Sequence, residues 1–135
     1  MCSPTRRLDA RSERGQTMVE FALVVPVLVL ILFAIVQFGV AFKDYVTLTD
    51  AARVGARKAA VSRLDPNPIG ATTQAVKSAA VGLDESKLVV AVTPGTPWSH
   101  GNDVTVHATY PYTIDLFGFV LAKGDLKSTT TERVE

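Results

Sequence analysis

The chain has 135 residues and a mass of 14.5 kDa, room for one small domain. Apolar types make up 47% and charged types 20%, which excludes disorder as the main state, and 14 basic residues against 13 acidic ones leave no global field to gather nucleic acid. A single Cys excludes an intrachain disulfide framework and a Cys-based zinc site, and two His leave little for metal or acid–base chemistry.

The stretch 1–15 carries Arg6, Arg7, Arg11 and Arg14 against Asp9 and Glu13. A basic end of this kind tends to stay on the cytoplasmic side of a membrane. Lys43, Arg53, Arg57 and Lys58 flank the other end of the run that follows, so charge alone leaves the orientation open. Between these flanks Phe21 to Phe42 is uncharged over 22 residues, and Phe21 to Val36 has no polar side chain. As a helix the stretch spans about 33 Å at ~1.5 Å per residue, against a hydrocarbon thickness of about 30 Å. A helix lying on a soluble core would show a polar face; this run shows none and reads as a membrane helix. A cleaved secretory signal fits less well, because the apolar region is too long and ends in Phe38-Gly39-Val40-Ala41-Phe42-Lys43, with no A-x-A site at the right place.

Glu20 abuts the apolar run directly. A charge costs about 2.5–3.5 kcal/mol at the bilayer centre on insertion scales and less near the interface. Glu20 is then either a flanking charge at headgroup level or a group that pairs within an assembly. If the chain is cut after Gly15, the new α-amine on Gln16 lies four residues before Glu20, on the same helix face. Copies would then present an ammonium and a carboxylate on one stripe, and head-to-tail contacts that do not close generate filaments. Pro26 removes one backbone hydrogen bond and should bend the helix, which membrane helices tolerate.

These residues resemble the leader of type IV pilin-like proteins, which a prepilin peptidase cuts after Gly, with Glu at mature position 5. More closely, they resemble the TadE-like minor pilins of the tight-adherence (Flp) pilus system. Arg14-Gly15-Gln16, Glu20-Phe21-Ala22, Pro26, Phe38-Gly39 and Ala51-Ala52-Arg53-Val54-Gly55-Ala56-Arg57 carry the likeness, good over residues 14–61 and loose beyond. Gln37 departs from it, standing where such proteins often have an acid. The resemblance implies a cytoplasmic leader at 1–15, a transmembrane helix at 16–42 and an extracytoplasmic pilin-like domain at 43–135. It implies processing between Gly15 and Gln16, with Glu20 as the assembly charge. It also implies the bacterial cytoplasmic membrane as location, N-terminus inside, and a place in the assembly of an adhesive pilus. The partners implied are membrane lipid, the prepilin peptidase, other pilin subunits and the pilus assembly machinery. Cleavage would leave 10 basic and 11 acidic residues, because four arginines, Asp9 and Glu13 go with the leader. An uncleaved, single-pass anchored binding domain is the alternative, and a major pilin a third reading.

Beyond the membrane run, Tyr45, Leu48, Ala52, Ala56 and Ala59 keep helical spacing, so one helix should continue to about Arg63. Its small residues, with Gly39, Ala52, Gly55 and Ala56 foremost, permit close packing, in the domain's own core or against a neighbour. Arg53 and Arg57 share a face, turned to solvent or to a partner. Asp65-Pro66-Asn67-Pro68 should end the helix. A second short helix is expected at 71–81 with Gly82 as its stop, then a strand at Lys87–Thr93, a turn at 94–102 and an alternating strand at Asp103–Tyr112. Residues 114–121 read either as a short helix or as a packed loop, with Phe117 and Phe119 in the core. Leu126–Val134 reads as an edge strand. The fold class is α+β: a long helix, a short helix and a three-stranded antiparallel sheet packed on the long helix.

Trp98 is balanced between core and contact surface. Ser99, His100 and Asp103 are close in sequence but lie in a turn, which rarely makes a pocket, and His107 falls on the polar face of its strand. The chain is therefore not expected to be an enzyme, to hold a cofactor or metal, or to bind nucleic acid.

Overall fold

A computed structural model describes residues 9–116 and 118–135. The elements run α1 (Asp9–Val61), α2 (Pro68–Ala79), β1 (Val89–Thr93), β2 (Asp103–Leu116) and β3 (Phe119–Arg133). The α+β class expected from the sequence is the one found. Residues 1–8 and Phe117 lie outside the described residues, so most of the expected leader and one of the two expected core phenylalanines do too. The chain divides into two compact units, one ending at Val36 and one running from Gln37 to Glu135, although α1 continues without a break between them.

In the first unit α1 passes through Pro26 as a helix and exposes its large apolar side chains. The helix over Gly15–Val61 is long and apolar enough to cross a membrane. With lipid as solvent, outward-facing Leu, Val, Ile and Phe are the favourable arrangement.

In the second unit the character of α1 changes. Leu48, Ala51, Ala52, Ala56 and Ala59 are fully buried, at helical spacing, and meet the inner face of the sheet at Val104, Val106 and Ala108. Ser62 ends the helix by hydrogen-bonding the Lys58 carbonyl through its hydroxyl at 2.6 Å. The second helix starts three residues earlier than its periodicity predicts. Asn67 is its cap, with Oδ1 accepting from the Gly70 amide at 2.9 Å, and Pro68 stands in the first turn, where no amide donor is required. Its buried residues are Thr72 and Val76. Ala80 caps its other end, and Gly82, with φ +87, follows in the turn.

The sheet order is β1-β2-β3, all antiparallel. Val104, Val106 and Ala108 point inward, as their alternation predicts. Both β1 and β3 are edges, and β3 sets Lys123, Asp125 and Lys127 at alternate positions along its length. The chain end is tied in by Val134, whose amide donates to Asn102 O at 2.8 Å, and by Glu135, whose amide donates to Ala60 O at 2.9 Å.

Residues 114–121 depart from both readings offered by the sequence. They are the distal end of a long hairpin, with Leu116 opposite Phe119 and Gly118 at φ +87 in the turn. The register slips between Ile114 and Asp115, leaving Leu121 as an extra residue on β3. Phe119 is 76% exposed and not in the core, because the buried layer of β2, Val104 to Ala108, lies toward the other end of the ribbon.

Candidate functional site

At the N-terminal end of the described helix, Gln16 Nε2 donates to Glu20 Oε1 at 3.1 Å. The i,i+4 spacing predicted from sequence therefore brings these two residues together. Among the described residues no ion pair engages Glu20, and its side chain is exposed.

The glycines of α1 divide into two kinds. A Cβ at Gly55 would collide with Val76 Cγ2 and touch Val106, so the helix needs a missing side chain here to approach α2 and the sheet. Gly15 and Gly39 have nothing within 4 Å of where a Cβ would stand. Glycine inside a helix costs about 1 kcal/mol relative to alanine. At Gly55 packing within the fold offsets that cost; at Gly15 and Gly39 the fold of this chain supplies no offset. Ala52 and Ala56 join Gly55 in the core. Pro26 stands inside the helix and leaves the Ala22 carbonyl without its usual donor.

Arg53 and Arg57 are both exposed, and Arg53 Nη1 lies 3.6 Å from Asp50 Oδ1, a solvent-screened pair. Of the two readings of Trp98, the packing gives the core: it is 6% exposed and its Nε1 donates to Pro94 O at 3.0 Å. The polar face of the sheet is a network that the sequence shows only as alternation. His107 meets Thr93 Oγ1 through Nε2 at 3.3 Å and Thr129 Oγ1 through Nδ1 at 3.1 Å, and Thr105 and Thr131 pair at 2.8 Å. Both ring nitrogens of His107 are thus engaged structurally. Asp103 faces Arg133 at 3.7 Å and not Ser99 or His100.

Two carboxylates are held below the usual range, Asp65 at a half-buried turn and Asp84 at an exposed one. The Lys58 ammonium hydrogen-bonds Asp65 at 3.2 Å and stabilises its charged form, helped by Ser62. Asp84 accepts from the Ser86 hydroxyl at 2.6 Å and from the Ser86 amide at 3.0 Å. Both arrangements fasten loops. Among the described residues no group of three His, Cys, Asp or Glu side chains could hold a metal ion.

A contact without any signal in the sequence joins the helix to the hairpin. Gln37 Nε2 donates to the Asp115 carbonyl at 3.0 Å and lies 3.4 Å from Asp115 Oδ1. Below it Phe38 and Phe42 stack with centroids 6.5 Å apart. Phe38, Phe42, Tyr45, Tyr112, Ile114 and Leu126 are the main lining of a largely apolar groove of about 370 Å³.

Residues 15–57 match the family model described as TadE-like protein. That span holds Gly15, Gln16, Glu20, Pro26, Gly39, Arg53, Gly55 and Arg57. No curated protein and no solved structure matches the chain.

Proposed function

We infer, from the premise that residues 15–57 are TadE-like, that the chain is a membrane-anchored protein of a tad-type pilus and, within that system, a minor pilin. The observation that carries the reading is the family match across a segment in which Gly15 stands open inside the helix and Glu20 meets only Gln16 among the contacts described. A helical glycine at an open position suits a peptidase, which needs a close approach to the backbone. Cleavage between Gly15 and Gln16 would put an ammonium where the uncut chain has only the Gln16 carboxamide. Glu20 would then compensate the amine of a neighbouring copy in the same apolar surroundings, where a lone carboxylate is costly.

The apolar helix has two uses on this reading. It holds the subunit in the cytoplasmic membrane, leader inside and sheet domain outside, and it then packs against other stems during pilus assembly. The exposed arginines Arg53 and Arg57 are placed to meet other pilin subunits or the assembly machinery.

N-terminal sequencing of the protein from its native membrane should begin at Gln16, and a Gly15→Leu variant should keep its leader and migrate more slowly on a denaturing gel. Equal mobility of the two, each with an intact leader, would remove processing from the account. An uncut, single-pass anchored binding domain would then be the reading that stands.

A further inference from the structure

We propose that the tip of the β2–β3 hairpin is a second membrane contact, inserted in the lipid interface beside the helix. The inference rests on the reading of α1 as membrane-spanning. The first observation is exposure: Phe119, Val120 and Leu121 are consecutive at the tip and 76%, 60% and 64% exposed. A hydrophobic triplet in water at the end of a ribbon is unfavourable and commonly marks an interface.

The second observation fixes the level. Gln37 donates to Asp115 at the base of the tip, and Gln37 lies inside the uncharged stretch that ends at Phe42. From Gln37 to Lys43 is six residues, about 9 Å along a helix. A tip held at Gln37 therefore lies about 9 Å to the membrane side of the first flanking cation. That matches the roughly 5–10 Å at which interfacial apolar groups are buried below the headgroups.

Two further features agree with the interface and not with the hydrocarbon interior. The ribbon beyond Thr109 is two-stranded, since β1 pairs only with Thr105–Thr109, and its edge amides and carbonyls have no strand partners. Lipid-exposed sheet edges do not occur in hydrocarbon, which limits the depth the tip can reach. Tyr45 and Tyr112 line the groove on the domain side, and Lys43, which follows the apolar run, and Lys123 on β3 are exposed. Tyrosine rings and lysines that reach back toward the surface are the usual groups at that boundary. The one carboxylate at the tip, Asp115, is the group that Gln37 approaches.

The occupant we assign is lipid and not another subunit, because the anchor that sets the level belongs to the same unit of the same chain. The test uses the full chain with Cys2→Ser and one new cysteine, at Val120, Ala34 or Ser99, each carrying a polarity-sensitive fluorophore. The variants are reconstituted at high dilution in phosphatidylcholine vesicles with or without a doxyl-labelled phosphatidylcholine quencher. Emission at Val120→Cys should be blue-shifted and quenched, less than Ala34→Cys in the apolar run. Ser99→Cys, about 40 Å away along β2 at ~3.3 Å per residue, should be unaffected. Quenching at 34 but not at 120 overturns the tip contact and leaves the anchor standing. A blue shift at 120 without quenching assigns the tip to a protein neighbour and also overturns it. No quenching at either site overturns the spanning reading itself.

Discussion

Gly55 shows how one missing methyl group sets the distance between α1 and the elements it covers. A methyl there would run into Val76, whose branched side chain has little rotamer freedom. Alanine gains about 1 kcal/mol of helix propensity over glycine, while overpacking a close-packed core costs about 1–3 kcal/mol. The packing cost should prevail. Gly55→Ala should lower the melting temperature of the detergent-solubilised chain by some degrees, and Gly55→Leu by more. The pair Gly55→Ala with Val76→Ala should cost less than the sum of the singles, since the second change makes room for the first. Strict additivity in those melts would mean that the two residues do not press on each other. The collision at Gly55 was only half legible beforehand. The small-residue spacing of Ala52, Gly55 and Ala56 is visible in the chain, but which apolar side chain opposes it depends on how α2 folds back. Trp98 is similar: a lone large residue in a proline-rich turn has no periodicity to say which way it faces.

At the scale of elements, the connection from α2 to β1 is held by one carboxylate. Asp84 accepts two hydrogen bonds from Ser86, and its own amide donates to the Tyr110 hydroxyl at 3.3 Å, which binds the turn to β2. Its folded-state pKa lies below the unfolded value because those donors favour the charged form. The stabilisation is thus complete above the unfolded value, near about 3.9, and is lost as pH falls through the folded one. Protection of the Ser86 amide against hydrogen exchange, corrected for intrinsic rate, should fall in that acid window. Asp84→Asn should weaken it at neutral pH and remove the acid-side change. A pH-independent protection factor in the unaltered chain would contradict this. The elements themselves were largely readable, and the misses have physical causes. Asn67-Pro68 reads both as the end of one helix and as the start of the next: a capping Asn before Pro is a start signal that apolar periodicity, which begins at Ala71, does not carry. The hairpin tip was missed because the sequence there holds no Asn-Gly or Asp-Gly pair of the kind that marks a tight turn. A short apolar run such as Ile114 to Leu121 has no period that separates strand from helix.

For the whole molecule, anchoring and assembly should be separable. Glu20→Gln keeps the apolar helix and removes a charge, so the protein should still resist extraction from membranes by alkaline carbonate. The yield of chemically cross-linked subunits should drop clearly. If cross-linking remains at the level of the unaltered protein, Glu20 is only a flanking charge at the headgroups. The long apolar helix was legible because twenty or so uncharged residues admit few other fates. The groove and the Gln37–Asp115 contact were not, because they join residues 78 positions apart. The charged rim of β3 has a consequence for any copies of the chain brought together. An outer strand that carries Lys123, Asp125 and Lys127 at every second residue discourages another strand from lying alongside it. Strand addition at that edge is disfavoured, which leaves β1, uncharged from Val89 to Thr93, as the edge without such a guard.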